Sequence, residues 1–224
     1  MAQARTTKDP KWRRLPEERP QQILEAAFEE FGEHGLAGAR LDDIARRAGV
    51  AKGTIYLYFP NKEELFREMI RRTVIARLEE AELAFKALTG TAAEQMRTYM
   101  RQWWAYLITP QFQTVYGLVH GELHRFPDLA QFYAQEVIAR SHRLVTALIE
   151  RGVETGEFRP VDVDVTARIL AVTLISHAVM VGRQRLFKFK PTHAYAPDHV
   201  LAQLTDFFLH ALRPADDADH AGAR

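Results

Sequence analysis

Apolar side chains recur three and four residues apart along almost all of this chain. No stretch alternates apolar and polar residues long enough to make a half-buried strand. That periodicity confines the fold to helices packed on helices. Helices are expected at about Pro20–His34, Leu41–Ala48, Lys52–Phe59 and Lys62–Leu88. Five more are expected at roughly 92–108, 111–122, 127–154, 162–185 and 197–212, about nine in all. Pro20 suits a first helical turn, and Gly35 suits a left-handed stop. Gly49 ends the second helix. Pro60-Asn61 interrupts after the third, where Asn61 and Glu64 have capping-box spacing. Pro110, Pro127, Gly156 and Pro160 fall between the later helices.

The ends and one internal stretch read differently. Residues 1–19 are a polar arm with six cations (Arg5, Lys8, Lys11, Arg13, Arg14, Arg19), expected to be largely disordered. The arm suits either solubility or the minor groove. Arg183 to Ala196 reads as a loop, and 213–224 as a frayed tail. The domains expected are therefore the arm 1–19, a small unit 20–66, a larger unit 67–212 and the tail.

Composition excludes several classes. The 224 residues include no cysteine, which rules out thiolate zinc sites, thiol nucleophiles and disulfides. The formal net charge of +1 leaves nucleic acid open as a partner, because what matters is where the cations sit. Residues 1–22 have no apolar central run, so no secretory leader is expected. The longest apolar stretch, Ile169 to Val181, is short of the ~18–20 residues of a membrane span and contains Thr173, Ser176 and His177. A buried or interface helix, no membrane partner and a cytoplasmic location are expected.

The informative segment is 36–66, LAGARLDDIARRAGVAKGTIYLYFPNKEELF. Two short helices around a glycine-containing turn make a helix-turn-helix. Ala45, Gly49 and Val50 supply the tight crossing; Ile44, Ile55 and Phe59 point to the core. Lys52, Gly53, Thr54, Tyr56 and Tyr58 are left outward. Tyrosine hydroxyls and an ammonium donate to phosphates, and glycine lets backbone approach closely. Lys62 and the start of the fourth helix offer a further phosphate site. Arg46 and Arg47 suit solvent or phosphate equally.

LDDIARRAGV followed by AKGTIYLYFPNKEELF closely resembles the DNA-binding segment of the TetR/AcrR family of bacterial transcriptional regulators, over about Gln21 to Phe66. The remainder resembles that family only in layout, with GEF at 156–158 before a long apolar helix. The resemblance implies an all-α homodimer, with three N-terminal helices on operator DNA and a C-terminal domain that binds an effector and dimerises. It implies DNA contacts at Arg40, Lys52, Gly53, Thr54, Tyr56, Tyr58 and Lys62, with Gly53 and Thr54 near bases. Two positions depart from the family pattern. Arg40 stands where a capping threonine is usual, so the cap is lost or moves. Ala51 stands where a serine is usual, so one hydroxyl contact is missing.

The helix 162–185 is apolar almost all round and must be buried on more than one side. With the last helix it resembles the family's dimer-forming pair, with Ile169, Leu174, Val181, Leu204, Phe207 and Phe208 expected at the interface. A plain monomer core is the alternative. Aromatics crowd residues 96–142, which suits a ligand cavity or an ordinary core. Trp103, Tyr106, Phe112, Tyr116, His120 and His177 are the candidates for lining a cavity that takes a mostly apolar or aromatic effector. His120 and His124 share a helix face by spacing, but HGELH is not a zinc-protease motif and no third ligand is indicated, so no metal and no cofactor are expected. Nor does any phosphate loop or nucleophile motif suggest an enzyme. A repressor released by its effector is the leading reading; the alternative is a constitutive DNA binder with no effector.

Overall fold

The computed structural model describes residues 19–86, 89–183 and 196–215. The expected arm up to residue 18, most of the 183–196 loop and most of the tail lie outside the described residues. Among the described residues there are helices and no strands. They are α1 (Arg19–Gly38), α2 (Leu41–Arg47), α3 (Lys52–Tyr58), α4 (Lys62–Ile70), α5 (Ala76–Lys86) and α6 (Ala92–Leu107). Then come α7 (Pro110–Glu122), α8 (Pro127–Tyr133), α9 (Ala139–Glu154), α10 (Val163–Gly182) and α11 (Pro197–Leu212). Two expected long helices each contain a π-helical stretch, Arg71–Ile75 between α4 and α5 and Ala134–Ile138 between α8 and α9. The periodicity counts residues per face and does not register one extra residue in a turn.

The chain divides into two compact units at Met69/Ile70. In the first, Ile23, Ala27, Phe31 and Leu36 are fully enclosed with Ile44, Ile55, Leu65 and Phe66. Phe31 meets Phe66 edge-on at 6.2 Å between ring centroids. Each such burial contributes roughly 1.5–3 kcal/mol. Gly35 (φ 71°) breaks the dihedrals of α1 where the stop is expected. Gly49 (φ 66°) follows α2 in the left-handed region. Val50 N–H donates to Ala45 O (3.0 Å) and Gly49 N–H to Arg46 O (3.2 Å), the paired bonds of a Schellman turn.

Arg47 fastens α2 to α1. Its guanidinium takes both carboxylate oxygens of Glu33 (3.0 and 2.6 Å), with Glu29 at 3.1 Å and Glu30 at 3.3 Å. Those bonds hold the Glu33 carboxyl below its ordinary pKa. This settles the alternatives left open for Arg47: its charge is engaged within the chain. The acidic group Glu30, Glu33 and His34 is thereby supplied with a cation of its own.

In the second unit three helix starts, those of α6, α7 and α10, are capped by side chains. Thr91 and Glu94 make a reciprocal capping box on α6 (3.1 and 3.0 Å). Thr109 caps α7 ahead of Pro110, and Asp162 caps α10. Met96, Met100, Trp104, Val115, Ile149 and Leu170 fill the core. The GEF turn has a packing role: Phe158 is buried with its ring laid against Gly152. A Cβ on Gly152 would stand 2.0 Å from that ring.

The reading of α10 is corrected in one respect. The 20-residue helix is long and apolar enough to cross a membrane, with a mean hydropathy of 1.7 over its most apolar 18 residues, because that average absorbs the charge of Arg168, which stops the uninterrupted run at Ile169. One side, with Ala167, Leu170, Leu174 and Ala178, is packed inside the chain. The other leaves Val165, Ile169, Val172 and Met180 exposed.

Gly152→Ala should therefore destabilise by about 2–3 kcal/mol or more through overpacking. Thermal unfolding checks this: an unchanged Tm would mean that Phe158 does not close on Gly152.

Candidate nucleic-acid interface and effector region

A seven-residue helix cannot hold itself in water; α3 is held by burial of Ile55, fully enclosed, and Phe59 just past its end. The opposite face is thereby fixed outward. It presents Lys52, Gly53, Tyr56 and Leu57, with Tyr58 at the edge. Tyr56 is 46% exposed and Tyr58 37%, so the rings are not core aromatics. A Cβ built on Gly53 meets nothing within 4 Å, so no packing inside the chain requires the glycine. Thr54 is half-buried, its N–H bonded to Ala51 O at 2.8 Å.

The cations around α3 are tied to this surface in different ways. Lys52 donates to Asp42 Oδ2 at 2.8 Å, which raises its pKa and ties the start of α3 to α2. The pair is exposed, so it contributes little stability, and the ammonium keeps further donors. Arg40 is exposed and extended at the start of α2, and makes no side-chain cap: the cap is lost rather than moved. Asp42 and Asp43 in that first turn partly compensate through the helix dipole. Arg46 pairs with Asp43 at 2.8 Å.

Lys62 is engaged inside the unit. Its half-buried Nζ donates to Ala37 O (2.9 Å) in the last turn of α1 and to Ala39 O (3.4 Å) just past it. The motif spacing places the lysine but cannot show that its reach ends on backbone inside the unit. Asn61 Oδ1 accepts from Glu64 N–H at 2.7 Å, which caps α4 as the spacing predicts.

Sequence reasoning missed Leu57. An apolar residue in a helix reads as core; only its position relative to Ile55 and Phe59 shows it facing out, 82% exposed.

In the second unit, five of the six cavity candidates form one line of rings. Trp103–Tyr106, Tyr106–Phe112 and Phe112–Tyr116 centroids lie 6.1, 5.5 and 5.9 Å apart, and Tyr116 stacks on His120 at 3.8 Å. Tyr106 and Phe112 are buried, Trp103 and Tyr116 half-buried, and His120 exposed. His177 stands apart from that line: exposed on α10, its Nδ1 lies 2.9 Å from Thr173 O in its own helix. The hydroxyl of Tyr106 and the indole N–H of Trp104 are buried with no partner among the described residues. Burial pushes the Tyr106 phenol up to about 12, opposed by Arg77, whose guanidinium lies 5.7 Å over the ring.

A separate groove of 290 Å³ lies along α5 and α9, lined by Glu82, Phe85, Arg140, Arg143, Leu144 and Ala147. None of the six candidates lines it. Arg140 makes a two-pronged pair with Glu82 (2.9 and 2.7 Å). His120 and His124 do not share a helix face, because α7 ends at Glu122 and His124 falls in a 3₁₀ turn.

Of the six expected interface residues, Leu174, Leu204 and Phe208 are enclosed within the chain, Leu174 to 2% exposure. Ile169 and Phe207 are exposed and Val181 is half-buried. A helix apolar on every side gives no sequence signal for which stripe faces its own core.

Comparison with known proteins places this architecture. The model of "Bacterial regulatory proteins, tetR family" matches residues 23–69. The model of "Tetracyclin repressor-like, C-terminal domain" matches residues 87–188. The chain belongs to the TetR family. Members of this family are DNA-binding regulators, not enzymes. An uncharacterized HTH-type transcriptional regulator, YhgD of Bacillus subtilis, is 29% identical over 157 residues, 68% of this chain and 78% of that protein. Among solved structures, FadR of Bacillus subtilis in complex with stearoyl-CoA shares the fold (TM-score 0.71, 21% identity, 86% of this chain and 99% of that one). A transcriptional regulator of Saccharomonospora viridis in complex with choline is 25% identical (TM-score 0.71, 89% of this chain and all of that one).

Two substitutions separate contact from support in this TetR-family unit. Tyr56→Phe should weaken binding to every duplex by about three- to tenfold and leave Tm unchanged, since it removes one exposed donor. Lys62→Met should instead lower stability by about 1.5–3 kcal/mol, through two lost charged hydrogen bonds. Anisotropy titrations alongside thermal unfolding distinguish them; a Lys62→Met protein as stable as the parent would return that lysine to the phosphate role.

Proposed function

We propose that this chain is a cytoplasmic, homodimeric transcriptional repressor that leaves its operator when a small, mostly apolar or aromatic effector binds the second unit. The observation that carries the DNA reading is the outward face of α3. Two phenols, a lysine and a glycine with open space above it are exposed around α3, while Ile55 and Phe59 are buried. On this reading Arg40, Lys52, Tyr56 and Tyr58 hold phosphates, while Gly53 and Thr54 approach base edges. Affinity then falls steeply with salt.

Dimerisation is supported by the exposed stripe Val165, Ile169, Val172 and Met180 on α10, with Phe207, 64% exposed, on α11. Apolar groups at this spacing along 20 residues leave water when two copies pair. Two recognition helices then read half-sites about 34 Å apart. Leu174, Leu204 and Phe208 support that stripe from inside and do not themselves meet the partner.

The effector reading rests on the line of rings from Trp103 to His120 and on the unpartnered Tyr106 hydroxyl and Trp104 N–H. An unsatisfied buried donor costs about 1–3 kcal/mol, and a ligand bearing an acceptor atom removes that cost. Effector and operator are antagonists on this reading, so each weakens the other by the same factor.

Phe207→Arg should yield monomers in sedimentation and cut operator affinity by about two orders of magnitude, since the second half-site no longer binds in concert. Tyr106→Phe should keep operator binding but weaken release by whichever compound a thermal-shift screen selects. A Phe207→Arg protein that stays dimeric refutes the interface, and a screen in which no compound stabilises the protein refutes the effector.

A further inference from the structure

The sequence motif leaves Leu57 without a role, and the fold gives it a conspicuous position. Leu57 is two residues from Ile55, hence about 200° around the helix from that buried anchor. It is the most outward point of α3. Gly53, one turn earlier, lies on the same line and has nothing within 4 Å of where its Cβ would be. Leu57 is 82% exposed, whereas the other large aliphatic side chains described in this unit are buried or half-buried, and nothing among the described residues covers it.

Resting on the reading of α3 as the DNA-binding helix, we propose that Leu57 reads the C5-methyl group of a thymine in the major groove. The most outward line of a helix laid in that groove comes nearest the base edges. Among the base-pair edges displayed there, donors and acceptors alternate with a single apolar group, the thymine methyl. A leucine can gain nothing from a donor or acceptor, and it desolvates any that it covers. Gly53 lets the backbone sink toward the base pairs, which brings Leu57 within contact. Tyr56 and Tyr58, on either side of it, hold the flanking phosphates. The preference is therefore for thymine over cytosine at one position in each half-site, set by burial of a methyl and not by a hydrogen bond.

The test starts with full-length protein and an operator selected from random duplexes. Each thymine is then replaced in turn by deoxyuridine, which removes the methyl and nothing else. The expected result is one position per half-site where the replacement weakens binding about fourfold, the effect of one methyl-sized burial. Leu57→Ala binds the parent operator more weakly, with an unchanged circular dichroism spectrum, and is indifferent to deoxyuridine at that position. Leu57→Met retains sensitivity there. The inference is overturned if no single replacement affects the parent protein, or if Leu57→Ala remains as sensitive as the parent. It is also overturned if Leu57→Ala changes only the self-association of the free protein, which would make the residue a contact between copies. A parent protein that selects no operator at all overturns the DNA reading beneath it, an outcome distinct from these.

Discussion

Burial of Ile55 and Phe59 is the constraint on which the DNA-binding unit depends. Seven residues with no side-chain cap at the N-terminus have no independent reason to be helical. The two anchors supply that reason and fix the rotation of the helix about its axis. Rotation matters more than position here, because a turn of 100° would exchange an inward isoleucine for an outward tyrosine. The same two residues that stabilise the unit therefore decide which groups face a duplex. The Schellman turn at Gly49 sets the direction from which α3 leaves α2, and Arg47 with its carboxylates keeps α2 against α1.

The cations of this unit divide by what they can reach. Arg47 is captured by three carboxylates and Lys62 by two carbonyls, and both stiffen the scaffold. Lys52 is held by one exposed carboxylate, an interaction weak enough for phosphate to compete with. Arg40 makes no cap and points to solvent. A formal charge balance near zero thus hides an asymmetry among the described cations: Arg47 and Lys62 are engaged inside the unit, while Lys52 and Arg40 beside α3 keep donors to give. Phosphate recognition needs that asymmetry far more than it needs net charge.

In the second unit the same economy governs apolar surface. α10 is too hydrophobic for one packed side to consume. Ala167, Leu170, Leu174 and Ala178 meet its own chain, and the remaining stripe is what a second copy would cover. α6 has a different incompleteness: among the described residues the Tyr106 hydroxyl and the Trp104 N–H are buried with no hydrogen-bond partner. One surface lacks an apolar partner and the other lacks a polar atom. On the proposed reading, association would answer the first deficit and a bound ligand the second.

The helical class, the breaks at Gly35, Gly49 and Pro60, and the motif of α3 were legible in the residues alone, because periodicity and turn chemistry are local properties. Apolar spacing could count helices and propose which residues belong to a face. Spacing does not say which stripe of α10 or α11 turns toward the chain's own core: Leu174, Leu204 and Phe208, which it offers to an interface, are enclosed within the chain. Nor could it show that Lys62 ends on carbonyls 23 and 25 residues earlier in the chain, or that Arg47 meets three glutamates across a turn. Each of those depends on how one element is rotated against another, and that rotation is decided only when the whole unit packs.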